Sequence, residues 1–158
     1  MTRKEGGKMR RKDRLIPDAE ALTILKEGEY GILSTVSPDD EPYGVPLNYC
    51  LIADCIFFHC ALEGNKTDNI SNNPNVSFCV VGKTEILPDQ FSTRFESCIV
   101  RGRAFESFAE EKQMALEGIV DKYAGGFAAQ GLEAIEKLTD ITRVFRITIE
   151  SISGKAQK

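Results

Sequence analysis

Apolar and polar positions change period several times along the chain, and each change marks an element. Leu22, Ile24 and Leu25 follow Pro17 and precede Gly28, which predicts a short helix with proline as its first residue and a glycine C-cap. Tyr30–Val36 reads as a strand, SPDDEP as a turn, and Tyr43–Ile52 as a second strand. Ala53-Asp54 makes a tight turn into a third strand, Cys55–Cys60. Gly64 then opens a short helix that stops at Asn73-Pro74, and the apolar run Val76–Val81 is a fourth strand. A loop with Pro88 leads to a long β run, Thr93–Phe105, broken by Gly102. Ser107 and Glu110 have capping-box spacing for a helix that should reach about Tyr123 and end at Gly125-Gly126. A short helix around Leu132–Leu138 and an alternating strand, Val144–Ile152, close the pattern.

Six strands joined mostly by tight turns, with helices at the margins, predict an α+β fold built on a six-stranded antiparallel barrel. A small barrel fills its interior with side chains, so a ligand would sit at the rim or between two barrels. That arrangement favours a homodimer with a shared site.

Composition narrows the class. The 158 residues, 42% hydrophobic and 28% charged, make one domain and exclude a disordered or fibrous chain. No stretch approaches the ~18 apolar residues of a membrane span. The N-terminus is basic but lacks the apolar core of a secretory signal, so a cytoplasmic protein is expected. Cys50, Cys55, Cys60, Cys79 and Cys98 form no CxxC pair and read as free thiols. With one histidine and no finger spacing, no metal site is expected.

Residues 1–14 hold seven basic side chains against Glu5 and Asp13, whereas the whole chain is net −4. They read as a flexible basic arm ahead of a single domain, 15–158. Without aromatic interleaving or a basic body, nucleic-acid binding is not expected.

The informative stretch runs from Phe57 to Lys66. A strand ends at His59-Cys60, Gly64 turns the chain, and Lys66 with Thr67 stands at a helix start. Helix N-termini present unpaired N–H groups and a positive dipole end, so this is a candidate phosphate pocket, although its spacing is not that of a P-loop. The second element is Pro42–Tyr49, where Pro46 removes a ladder donor and marks an edge or bulged strand. Free backbone groups on such an edge can pair with a flat heterocycle; equally, the proline can simply blunt the edge against aggregation.

Taken together, EYGILSTV, PYGVPLNYC, IFFHCALEGNKTDNISNNPNVSFCVVG and STRFESCIVRGRA, with the late Ser153-Gly154-Lys155, resemble the nitroimidazole-resistance branch of the pyridoxamine 5′-phosphate oxidase-like split barrels over residues 9–156. The resemblance implies a homodimeric split β-barrel that binds FMN, or FAD in some members, at the subunit interface. By the same resemblance Val45, Pro46, Leu47 and Asn48 line the isoalloxazine, and His59, Cys60 and Ala61 lie beneath the ring and ribityl chain. Asn65 and Lys66 would grip phosphate with Asn69 nearby, and Thr93, Arg94, Phe95, Glu96 and Ser97 would come from the partner subunit. His59 becomes the candidate catalytic residue. Arg94 could instead pair on the surface with Glu96 or Asp89.

The arginine and histidine residues with which true pyridoxamine phosphate oxidases hold their vitamer are missing near the C-terminus, so vitamin B6 oxidation is disfavoured. The implied activity is flavin-dependent reduction of a small flat acceptor such as a nitroimidazole. The alternative is a non-catalytic module binding flavin, deazaflavin or haem.

Overall fold

The computed structural model describes residues 10–158. Residues 1–9, which carry Arg3, Lys4 and Lys8 of the expected basic arm, lie outside the described residues. Eight strands form one antiparallel sheet: β1 (Leu15–Ile16), β2 (Gly31–Val36), β3 (Pro42–Leu47), β4 (Cys50–Ile52), β5 (Cys55–Cys60), β6 (Asn75–Leu87), β7 (Ser92–Ser107) and β8 (Arg143–Gln157). Their order is β3-β2-β6-β7-β8-β5-β4, with β1 added to the far part of β8. Among the described residues four α-helices accompany them: α1 (Asp18–Glu27), α2 (Asn65–Asn72), α3 (Ala109–Ala124) and α4 (Ala128–Leu138).

The expected α+β class is present, but with eight strands rather than six. One extra strand is the two-residue β1. The other arises because Tyr43–Ile52 is two strands: the chain leaves the sheet at Asn48-Tyr49, so β3 pairs with β2 and β4 with β5. Tyr49 explains the break. It is fully buried, sets its ring edge-on to Phe78 at 4.9 Å, and donates its hydroxyl to the carbonyl of Leu25. A residue between β3 and β4 thus touches β6 and α1, and the sheet curls around that contact.

Alternation decides what lies inside. Leu33, Ile56, Phe58, Phe78, Val80, Val100, Phe145 and Ile147 are all buried and meet Ala21 and Leu25 of α1 in one core. At about 2 kcal/mol for each large side chain buried, this interior outweighs any surface ion pair. A second cluster lies outside the sheet, where α3 and α4 cover Cys50, Phe57 and Val144 with Ala115, Leu116, Ile119 and Ile135.

Several local expectations need correction. Pro17 is the N-cap of α1 rather than its first helical residue. Gly28 follows that helix in an extended conformation, φ −60° and ψ 137°, so it is no left-handed cap. It is glycine because a Cβ there would lie 2.3 Å from Val80 Cγ1. The capping box is also absent: Ser107 ends β7, Phe108 is the N-cap of α3, and the Ser107 hydroxyl donates to Glu111 Oε1 at 2.6 Å. The break at Gly102 is real and is a register shift against β8.

Candidate functional site

Strand β5 delivers two side chains to the same rim with opposite orientations. Cys60 is buried at the interior end, while the next residue up the chain, His59, faces out and is exposed. Burial raises the Cys60 thiol pKa; Lys66 and Arg143 offset this in part, and Glu106 adds to it. A neutral, buried thiol is a poor nucleophile. His59 moves the other way: desolvation against the sheet, then the charge of Lys66, hold its imidazole below the ordinary range.

The chain then turns through residues 61–64 into α2. Gly64 sits at φ +150°, where an L side chain would be strained, and is the N-cap of the helix. Its carbonyl accepts from the amides of Thr67 (3.0 Å) and Asp68 (3.2 Å) and from the Thr67 hydroxyl (2.6 Å). With no side chain capping this end, the amides of Asn65 and Lys66 are left pointing out of the first turn. Lys66 is half-buried, and among the described residues no carboxylate forms an ion pair with it. An uncapped helix start and an unpaired lysine are a place for an anion. Asn69 is committed elsewhere: it is buried and donates from Nδ2 to Thr35 Oγ1 at 2.9 Å, tying α2 to β2.

Strand β3 is an edge, paired only with β2, with Pro46 opposite Ile32. Val45 and Leu47 pack on the core, whereas Pro46 and Asn48 face out. Pro46, Leu47 and Asn48 line an open concavity of about 690 Å³ with Tyr30, Ile32 and Gly44. Tyr30 and Ile32 were not among the sequence candidates, and Gly44 entered only as part of the Pro42–Tyr49 stretch. Their signal was weak, because Ile32 and Gly44 alternate ordinarily within β2 and β3 and Tyr30 merely precedes β2.

Thr93–Ser97 lie elsewhere. They belong to the far end of β7, in a hairpin with β6. Eleven residues of strand separate Phe95 from Glu106, which adjoins the 61–64 turn. At ~3.3 Å per residue this is about 36 Å of strand, so Arg94 and His59 belong to opposite ends of the sheet. Arg94 pairs with Glu85 at 3.0 Å, not with Glu96 or Asp89. Glu96 Oε1 accepts from the Lys83 amide at 3.1 Å, bracing the register shift after Val81. Phe95 lies between Arg14 (5.9 Å) and Lys155 (5.5 Å) and lines a surface hollow with Thr93. Among the described residues no group of three His, Cys, Asp or Glu side chains could hold a metal ion, and no helix is long and apolar enough to cross a membrane.

Fold and site together define a small antiparallel β-barrel protein with an anion-ready helix start on α2, a helix tied to β2, and a separate concavity on the edge strand β3. The chain belongs to the pyridoxamine 5′-phosphate oxidase family, which it matches over residues 17–156. No curated protein matches it significantly. Among solved structures it is similar to a Bacteroides thetaiotaomicron protein assigned provisionally to 5-nitroimidazole antibiotic resistance, at 20% identity and TM-score 0.73, over 91% of this chain and 90% of that one. A FAD-binding protein from Mesorhizobium loti aligns at 24% identity and TM-score 0.65, covering 92% and 98% of the two chains. A FAD and heme binding protein from Mycobacterium smegmatis aligns at 16% identity and TM-score 0.79, covering 92% and 74%. At these identities the likeness is one of fold.

Proposed function

We propose that two copies of this chain form a homodimer that binds FMN, or FAD, between them and reduces a small flat acceptor of the nitroimidazole type. The observation that carries this reading is Lys66, a half-buried cation in an uncapped helix turn that forms no ion pair among the described residues. Asn65 and Lys66 would hold the phosphate, and the β3 edge at Val45–Asn48 would run along the ring. His59, kept neutral at pH 7, would face ring and acceptor, where it can orient the acceptor or transfer a proton. Bound flavin supplies the electron transfer; the protein's part is to bind, orient and exclude water. Thr93–Ser97 would serve the partner's site, which is the one way they can reach it.

The test is a titration of purified protein with FMN, followed by anaerobic mixing of the reduced, loaded protein with a nitroimidazole. Saturation at equal flavin and chain concentrations with acceptor-dependent return of the oxidised-flavin spectrum is the expected result. A protein that binds no flavin removes the reading. A protein that binds flavin but gives no reoxidation leaves a carrier, the second reading, which the single histidine and the FAD and heme binding neighbour favour. His59→Ala separates the two: retained affinity with lost turnover marks the enzyme.

A further inference from the structure

The 61–64 turn is held from beneath by a pair of residues 37 positions apart in the chain. Arg143, the first residue of β8, is the register partner of Cys60. Its guanidinium forks onto Glu106 of β7, with Nε to Oε1 at 2.9 Å and Nη2 to Oε2 at 2.7 Å. Its remaining arm, Nη1, donates to the carbonyl of Leu62 at 3.2 Å. Among the described residues this is the one hydrogen bond that residues 61–63 make, and all three side chains are exposed. The guanidinium also lies 5.1 Å from the centroid of Phe145, whose ring stacks on Phe58 at 5.5 Å and 12°. The turn is therefore fixed to the core through a stack of two buried rings and a bidentate ion pair.

We propose that Arg143, oriented by Glu106, is the positioning residue of the anion-binding turn: it sets where Asn65 and Lys66 present their donors without touching the ligand itself. Each guanidinium nitrogen donates once within the protein, and its one contact with the turn is to Leu62, so the proposed action of Arg143 runs through Leu62. Lysine cannot replace it, because an ammonium cannot fork onto a carboxylate and reach a second acceptor in the same plane. The proposal rests on the flavin-binding reading, and it sharpens that reading to the phosphate end of the ligand.

The experiment compares FMN with riboflavin, which lacks the phosphate, by fluorescence quenching on the wild type, Arg143→Lys and Glu106→Gln. Loss of phosphate positioning weakens FMN about tenfold in Arg143→Lys, the scale on which supporting partners act on a bound group, and leaves riboflavin unchanged. Glu106→Gln keeps one acceptor for Nε and gives a smaller selective loss, about threefold; it carries the test alone if Arg143→Lys does not fold. Equal weakening of both flavins, or of neither, overturns the proposal while the flavin reading stands. A wild type that binds neither flavin, or binds riboflavin as tightly as FMN, overturns both the phosphate grip and the role of Arg143.

Discussion

The outer surface of the sheet is treated in two ways. Over β4, β5 and β8 it is covered: α3 and α4 fold back between β7 and β8 and bury Phe57 and Val144 almost completely. Over β2, β6 and β7 it is bare. Ile32, Cys79 and Ile99 face one another in register, with Pro46 beside them and Val81 one row away. Ile32 is 38%, Ile99 45% and Val81 54% exposed. Ser34, Ser77, Ser97 and Ser153 flank the row, with Arg101 in register with Ser77 and Lys155 with Ser97, so the surface is apolar along its centre with small and basic side chains at its margins. A sheet covers its apolar face with its own helices or with another molecule, and a contiguous exposed row points to the second solution. Within one chain the covered half supplies stability. The bare half is where the proposed second subunit would dock.

The largest effect should come from opening the covered half. Phe57→Ala removes a buried ring between sheet and α3 and is expected to cost about 3–5 kcal/mol, read as a lower urea midpoint. A cost below 1 kcal/mol would mean that α3 and α4 are loosely attached and the contrast between the halves is superficial.

The bare half should respond in a different observable. Ile99→Lys places a cation in the exposed row, and in a two-fold dimer the substitution enters both sides of the interface at once. Association should weaken by about 2–4 kcal/mol, on the scale of a central interface residue, with little change in urea stability at monomer concentrations. Sedimentation velocity gives the answer. An unchanged sedimentation coefficient in wild type and variant would make this half a plain solvent face.

Much of this contrast, and not all, was legible in the sequence. Strands β2 and β5 and helix α1 were readable because their apolar periods are bounded by turn residues. The split at Asn48-Tyr49 was not, because Tyr49 is apolar and continues the run; only its burial against Phe78 turns the chain. The ends of β6 and β8 were missed because Lys83–Glu85 and Lys155–Gln157 are polar, although ladder bonds carry the strands on. Lys66 could be found locally, since the glycine and the helix start are its neighbours. Arg143 and Glu106 could not, because their pairing depends on the register of β7 and β8. Whether Thr93–Ser97 reach a site depends on a second chain, which no local pattern encodes.

A smaller effect isolates the clamp under the turn. Arg143 holds the Glu106 carboxyl below its ordinary range by hydrogen bonds and then by charge. A carboxylate whose folded pKa is depressed stabilises fully above its unfolded value and loses that contribution as pH falls through the folded one. Urea midpoints of wild type and Glu106→Gln should therefore differ at neutral pH and converge below about pH 4. Parallel curves down to pH 3 would mean that the ion pair contributes nothing to folding.

The smallest effect is the most local. His59 is the only histidine, so its ring proton gives a single imidazole resonance to follow by NMR. Its folded pKa is lowered, first by desolvation and then by Lys66, and the titration midpoint should fall below the usual 6.5. Between that midpoint and 6.5 the unfolded chain binds more protons than the folded one, so this group's contribution to stability declines as pH drops through the window. Lys66→Met removes the charge and should raise the midpoint, leaving the larger, desolvation part of the lowering in place. Bound FMN should raise it further, because a phosphate at Lys66 offsets the cation that His59 feels. A midpoint that responds to Lys66→Met but not to FMN would put the lysine beside the histidine and the phosphate somewhere else, separating two halves of the site that the sequence runs together.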